Sequence, residues 1–394
     1  MKALLLRYYV FFPFIIGVLT IFRLPGVLYT ARLFAFISIA IIVFNLRLVL
    51  RDEKSILKCS FLYLIVMISS QLSTPVLNGY YGGYENILYY IFALVGIGFW
   101  ILGYKGYELF HKSNVRIIKY VVFVSLVASI GLIVMNGGMA NMDATSELYN
   151  YIYQVIPYTL LWMTASLFLF KKGERMVVVL LFLILVVLST KRGPLVSMLS
   201  GFFCIGVLYY KDKLNLRNIL MLLSGFLVLY VVFFVVLRSF TDLWMERWTD
   251  AEEKGSLTNG RELIRSVLMA KIASQDLIQT IVGNGNQATV LITYKFFLKG
   301  INAHDDFLDI LYNQGIIGLA AFVSMIVSWI RYVNLAIKTK YEYAYWMAYL
   351  LICFIIGSSV SSNLVRMSTC FFSMFFYYFA GRLSNLRLSN LRNC

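Results

Sequence analysis

The chain has 394 residues, of which 60% are hydrophobic and only 14% charged, at a mean hydropathy of +0.78. A soluble domain carries about a quarter charged residues, so a soluble globular fold is excluded. The net charge of +16 does not mark a nucleic-acid protein, because the cations flank apolar runs and do not gather on one face of a folded soluble domain.

The apolar residues fall in long runs separated by short charged clusters. Runs of about 20 residues are what an α-helix needs to cross roughly 30 Å of hydrocarbon, with every backbone group satisfied inside the helix. The fold expected is therefore all-α, a polytopic integral membrane protein of about twelve spans with one long extracytoplasmic loop. In chain order the spans fall near 5–22, 33–50, 58–74, 87–104, 117–135, 151–170, 176–190, 194–210, 218–237, 307–330, 344–360 and 367–381. The N-terminus has a short basic start but no small-residue cleavage site, so its apolar run reads as a retained first span. The chain then divides into spans one to nine (1–237), a long connection (238–306), and spans ten to twelve with a tail (307–394).

Charge sets the orientation. Placing the N-terminus inside makes the even-numbered connections cytoplasmic, and these carry Arg51, Lys54 and Lys58, then Lys105, Lys112 and Arg116, then Lys171, Lys172 and Arg175. Lys211, Lys213 and Arg217, and later Arg331, Lys338 and Lys340, continue the series, and the tail with Arg382, Arg387 and Arg392 is also inside. The opposite connections 75–86 and 136–150 contain no Lys or Arg. This asymmetry is the positive-inside pattern.

Besides the short connection 23–32, with Arg23 and Arg32, two outward places break that pattern. The turn Ser189-Thr190-Lys191-Arg192-Gly193-Pro194 puts two cations outside, and Pro194 suits the first turn of the next helix. The short seventh span leaves room for that turn to sit recessed in a cavity. The second place is 238–306, the longest connection and the one able to hold folded structure of its own. There, Thr258-Asn259-Gly260 reads as a helix start, followed by Leu263, Ile264, Val267, Leu268 and Ile272 at helical spacing. Gly283-Asn284-Gly285-Asn286 then reads as a turn. The cysteines offer neither metal spacing nor a disulfide framework: Cys59, Cys204, Cys353 and Cys370 lie in apolar stretches and Cys394 ends the chain.

Few residues are suited to chemistry. Of the two histidines, His111 sits among Lys112 and Arg116 in a cytoplasmic loop and reads as a solvated residue. His304 stands at the outer mouth of span ten in Asn302-Ala303-His304-Asp305-Asp306-Phe307-Leu308, where ionisable groups facing a cavity are functional candidates. Arg192, beside a glycine at a helix N-terminus, is placed as an anion ligand or as an interfacial anchor. Arg261 and Arg265, four apart, share one face of the loop helix, where they are phosphate ligands or solvated charges.

These segments, in order, resemble a known family. The Ser189–Leu195 turn, Asn259-Gly260-Arg261, the Gly283/Gly285 turn and His304-Asp305-Asp306-Phe307-Leu308, followed by Gly315-Ile316-Ile317-Gly318-Leu319, are similar to the O-antigen ligase and Wzy-type O-antigen polymerase superfamily. The resemblance covers about 185–325; the first half matches only as a series of spans. The family usually has Asn after the histidine, where this chain has Asp305.

The resemblance implies a bacterial cytoplasmic (inner) membrane protein with a bundle like that of GT-C glycosyltransferases. It implies transfer of a sugar chain from undecaprenyl diphosphate to a glycan hydroxyl. The transfer is expected to be metal-independent, because Asp305 and Asp309 share a face of the re-entry helix while Asp306 points elsewhere, and no cofactor or nucleic acid is expected. Arg192, Arg261 and Arg265 would hold the diphosphate, His304 would act as base or position the acceptor, and Asp305 would orient His304 or share its task. The partners implied are the undecaprenyl-diphosphate-linked oligosaccharide as donor and acceptor, membrane lipids, and a chain-length regulator and flippase of the same pathway.

Three readings stay open. The Lys-Arg-Gly-Pro form of the first motif resembles polymerases more than ligases, which share the constellation but transfer polymer to a lipid A core. A lipid-oligosaccharide flippase fits span number and orientation. Transporters, however, concentrate charged and polar groups inside spans, and here the unusual residues lie outside them.

Overall fold

The computed structural model describes residues 9–22, 25–51, 55–78, 88–135, 156–189, 192–210, 261–297, 302–360 and 370–392. Among these residues the fold is helical, without strands. In chain order the helices are α1 (Phe12–Ile21), α2 (Val27–Phe44), α3 (Leu46–Arg51), α4 (Ser55–Asn78), α5 (Leu88–Tyr104), α6 (Lys112–Met135) and α7 (Ile156–Met163). After a 3₁₀ turn (Thr164–Leu169) come α8 (Lys172–Ser189) and α9 (Arg192–Tyr210). The long connection contributes α10 (Arg261–Ala273), α11 (Leu277–Val282) and α12 (Ala288–Phe297), and the chain ends on α13 (Asp306–Lys338), α14 (Ala344–Val360) and α15 (Cys370–Arg392).

Helix therefore occupies eleven of the twelve expected spans; 218–237 lies outside the described residues, as does 238–260 of the long connection. Among the described residues, three helices are long and apolar enough to cross a membrane, over Ile56–Thr74, Lys112–Met135 and Asp306–Lys338. The second expected span, 33–50, is displaced: α2 starts at Val27 and stops at Phe44, and α3 follows. Between them, Asn45 Nδ2 donates to the Ile41 carbonyl at 2.6 Å, a side-chain bond that competes with the helical ladder. Span six is α7 followed by the 3₁₀ turn. Its exposed carbonyls are taken by Arg175, which donates Nε to Leu167 and Nη2 to Phe170, both at 3.1 Å.

The chain forms two compact units. The first comprises Met1–Pro13, Leu28–Leu109 and Gly260–Cys394; the second comprises Phe14–Val27 and Phe110–Asn259. In the first, Trp329 of α13 stacks on Phe376 of α15 with centroids 4.5 Å apart and meets Phe354 of α14 at 5.0 Å. Helices α5 and α15 approach so closely that a Cβ on Gly103 would lie 2.2 Å from the Tyr378 carbonyl, and one on Gly381 2.2 Å from that of Trp100. Close backbone approach of this kind holds helices together where lipid offers no hydrophobic driving force. In the second unit, α6 buries Ile118, Val122 and Leu126 and α8 buries Val178, Phe182 and Leu185, apolar stripes at helical spacing.

Candidate functional site

The site lies in the first unit, where the long connection meets the start of α13. Helix α10 is described from Arg261 onward, and its expected start signal, Thr258-Asn259-Gly260, lies outside the described residues. Ile264 and Leu268 are buried with Ala288, Ala303 and Tyr312, and Ile272, Ile292 and Leu308 pack on them. This small core fixes α10 against α13. It also aims the face carrying Arg265 at the segment 303–305.

There Asp305 is the N-cap of α13. Its Oδ1 accepts from the Phe307 N–H at 3.1 Å and the Leu308 N–H at 3.2 Å, satisfying two donors that a helix start leaves free. Its Oδ2 accepts from Arg265 Nη2 at 3.2 Å. The same nitrogen donates to the Ser359 carbonyl of α14 at 3.0 Å. The guanidinium is thus held in place from two sides, while its Nε is buried with no hydrogen-bond partner among the described residues. Arg261 stands one turn earlier on the same helix.

His304 adopts a left-handed backbone, φ 56°, a conformation uncommon outside glycine and a form of strain that gathers at functional sites. The surrounding chain enforces it. Asp305 fixes the next residue by capping, and Asp309 Oδ1 accepts from the Ala303 N–H at 3.0 Å on the other side. Asp306 and Asp309 are buried. Among the described residues no three His, Cys, Asp or Glu side chains gather as a metal-holding group.

Nearly three turns beyond the Asp305 cap, α13 breaks at Gly315, φ 65° and ψ −165°. The break releases carbonyls of the preceding turn, and the 283–286 turn takes them. Asn284 donates its N–H to the Tyr312 carbonyl at 3.2 Å and its Nδ2 to the same oxygen at 3.0 Å, and the Gly285 N–H reaches the Asn313 carbonyl at 2.9 Å. Only glycines fit here: a Cβ on Gly283 would lie 2.3 Å from the Asn313 carbonyl, and one on Gly315 2.4 Å from that of Ile281. Below the turn runs an amide network. Gln314 Nε2 donates to Asn286 Oδ1, Asn286 Nδ2 donates to Gln71 Oε1 at 2.6 Å, and the Asn286 N–H reaches Thr74 Oγ1 at 2.9 Å. A cavity of about 330 Å³ adjoins it, lined by Ser69, Ser70, Ser73 and Gln314 among apolar neighbours.

Of the sequence-derived candidates, Arg265, His304 and Asp305 come together here, with Arg261 on the same helix. Arg192 is the first residue of α9, which belongs to the second unit. The network of Gln71, Asn286 and Gln314 was missed in the sequence. Its signal was the polar run Asn313-Gln314-Gly315 inside an apolar span, matched by a glycine-rich turn. No known protein family matches the chain, and no curated protein matches it either.

Proposed function

We propose that the protein is a glycosyltransferase that joins undecaprenyl-diphosphate-linked repeat units on the outer face of a bacterial cytoplasmic membrane, acting as a surface polysaccharide polymerase. The observation that supports this best is the Arg265–Asp305 pair at the capped mouth of α13, directly beside the strained His304. On this reading the chain has twelve spans, with both termini cytoplasmic.

The chemistry asks for little more than this set. The acceptor hydroxyl oxygen attacks the anomeric carbon of the donor, the bond from that carbon to the phosphate oxygen breaks, and the diphosphate leaves with the electron pair. The configuration inverts. The hydroxyl proton passes to His304, whose class of side chain titrates near working pH without help. Arg265, held by Asp305 and the Ser359 carbonyl, offers donors to the leaving diphosphate without reorganising, and Arg261 adds a second cation. Asp305 is then a positioning residue, with both oxygens engaged. Arg192 enters this reading from the sequence alone, as a further diphosphate ligand. The partners proposed are the lipid-linked oligosaccharide as donor and acceptor, and a chain-length regulator and flippase of the same pathway.

The test is the surface polysaccharide of a strain lacking the protein, resolved on gels. The expected result is loss of the ladder with one repeat unit left on the core. A bare core with lipid-linked polymer accumulating would instead mean a ligase, and unexported repeat units a flippase; either would overturn the proposal.

A further inference from the structure

We infer that the second unit carries a binding site for an anionic phospholipid, between α6 and α8 at their loop ends. The two helices, with Phe110 before α6 and Phe170 and Lys171 before α8, line an open cavity of about 820 Å³. One end is cationic. Lys112, Arg116 and Lys119 stand at four- and three-residue intervals on one face of α6, and Lys171 faces them from the residue just before α8.

The opposing charge is a single carboxylate, and it is already engaged. Glu174 Oε2 accepts from Lys119 Nζ at 2.5 Å and from the Lys171 N–H at 2.9 Å, while Lys119 also lies over the Phe170 ring at 5.4 Å. Four cations against one carboxylate leave three positive charges. Lys112, Arg116 and the Lys171 ammonium have no ion pair among the described residues. Attraction to an anionic ligand is the charge balance this end provides.

The other end is apolar and open. Next to Lys119 and one turn further along α6, Tyr120 and Phe123 line the cavity at 65% and 43% exposure, and on α8 Val177 does so at 48%. Exposed apolar residues of α6 and α8, Val127 and Leu180, extend beyond the cavity in the same direction. Cations thus give way to an apolar groove along the helix axes. An inorganic anion would leave that groove empty, and an acidic peptide would leave its charges in contact with apolar surface. An anionic amphiphile, phosphate among Lys112, Arg116 and Lys171 and acyl chain against Phe123 and Val177, satisfies both ends. Other charged loops of the chain follow the positive-inside pattern as well. What sets this one apart is the cavity that joins its cations to exposed apolar side chains.

The experiment is native mass spectrometry on the full chain, delipidated in detergent and titrated with phosphatidylglycerol, phosphatidylcholine or inorganic phosphate. Phosphatidylglycerol is expected to remain bound at energies that strip phosphatidylcholine, and millimolar phosphate should not displace it. Each cation near an anionic lipid is worth about fivefold in affinity, so Lys112→Gln, Arg116→Gln and Lys171→Gln together should weaken retention about a hundredfold. Arg331→Gln with Lys338→Gln, outside the cavity, should leave it unchanged. Equal retention of both lipids, or of phosphatidylglycerol by the triple variant, would refute the site. Displacement by phosphate would reduce it to an anion site and overturn the lipid assignment. Should the triple variant not fold, photo-crosslinking of phosphatidylglycerol to the parent chain decides. Labelled peptides from 112–123 and 171–178 uphold the site, and labelling elsewhere refutes it.

Discussion

Asp305 has two tasks, and two substitutions separate them. It caps α13 through Phe307 and Leu308, and it holds Arg265 through a pair in which the arginine side chain is 43% exposed and the aspartate 22%. Losing an N-cap costs about 1 kcal/mol. The ion pair, discounted for solvent screening at this exposure, adds at most about 1 kcal/mol. Asp305→Ala should therefore lower unfolding free energy by about 2 kcal/mol, read by reversible SDS titration of the purified protein. Asp305→Asn keeps the cap, since Asn and Asp cap about equally, and should stay within about 1 kcal/mol of the parent. Transfer activity should fall in both variants, because both lose the charge that orients Arg265. Adding Arg265→Ala to Asp305→Asn should then cost much less activity than Arg265→Ala alone costs the parent. Full activity of Asp305→Asn would show that Arg265 does not depend on that charge. An Asp305→Ala loss of less than about 0.5 kcal/mol would remove the cap.

Other outcomes follow from the same geometry. Gly315→Ala forces a left-handed backbone on a residue with a Cβ, and that Cβ would lie 2.4 Å from the Ile281 carbonyl. It should cost about 3 kcal/mol or more in SDS titration, whereas Gly131→Ala, with nothing within 4 Å, should be neutral or better. Arg192→Ala and Arg261→Ala should abolish transfer at normal protein level. Lysine at either position should restore it only in part, because it lacks the planar fork; full activity of Arg192→Lys would mark an interfacial anchor instead. Turnover in purified membranes should survive EDTA, and loss reversed by magnesium or manganese would contradict the metal-free reading. The Glu174 carboxyl is held below its usual range by the hydrogen bond from Lys119, helped by the Lys171 N–H. Its folded pKa is the lower one, so its contribution is present above the unfolded carboxyl range and fades as pH falls through the folded value. Glu174→Gln should flatten the acid limb of a stability–pH curve.

The apolar runs located helix at eleven expected spans because hydropathy and helix length are local properties. The loop helix was legible for the same reason: Ile264 and Leu268, two of its five spaced apolar residues, form its buried face. The break in α13 was not. Apolar residues recur on both sides of Gly315, so the pattern merges two helices into one. The break is stabilised by the 283–286 turn, some thirty residues away, through carbonyls that hydropathy does not see. The role of Asp305 depended on a similar distance: its place beside His304 was plain, but its engagement by Arg265 arises from α10 packing on Tyr312 and Leu308. The Gln71–Asn286–Gln314 network joins three segments separated in the chain, and the polar run at 313–315 and the glycine-rich turn mark two of them without showing that they meet.

The central claim is transfer from a lipid diphosphate with His304 as base. It is tested most directly with the purified chain in proteoliposomes, supplied with an undecaprenyl-diphosphate-linked repeat unit. The parent should release undecaprenyl diphosphate and build a ladder of longer lipid-linked chains, with rates falling as pH drops through the ordinary histidine range near about 6.5. His304→Ala should keep its fold and donor binding and lose about 10²–10⁴-fold in rate. Near-parental activity of His304→Ala alongside an inactive Asp305→Asn would move the base to Asp305, and absence of any ladder from the folded parent would contradict the polymerase itself.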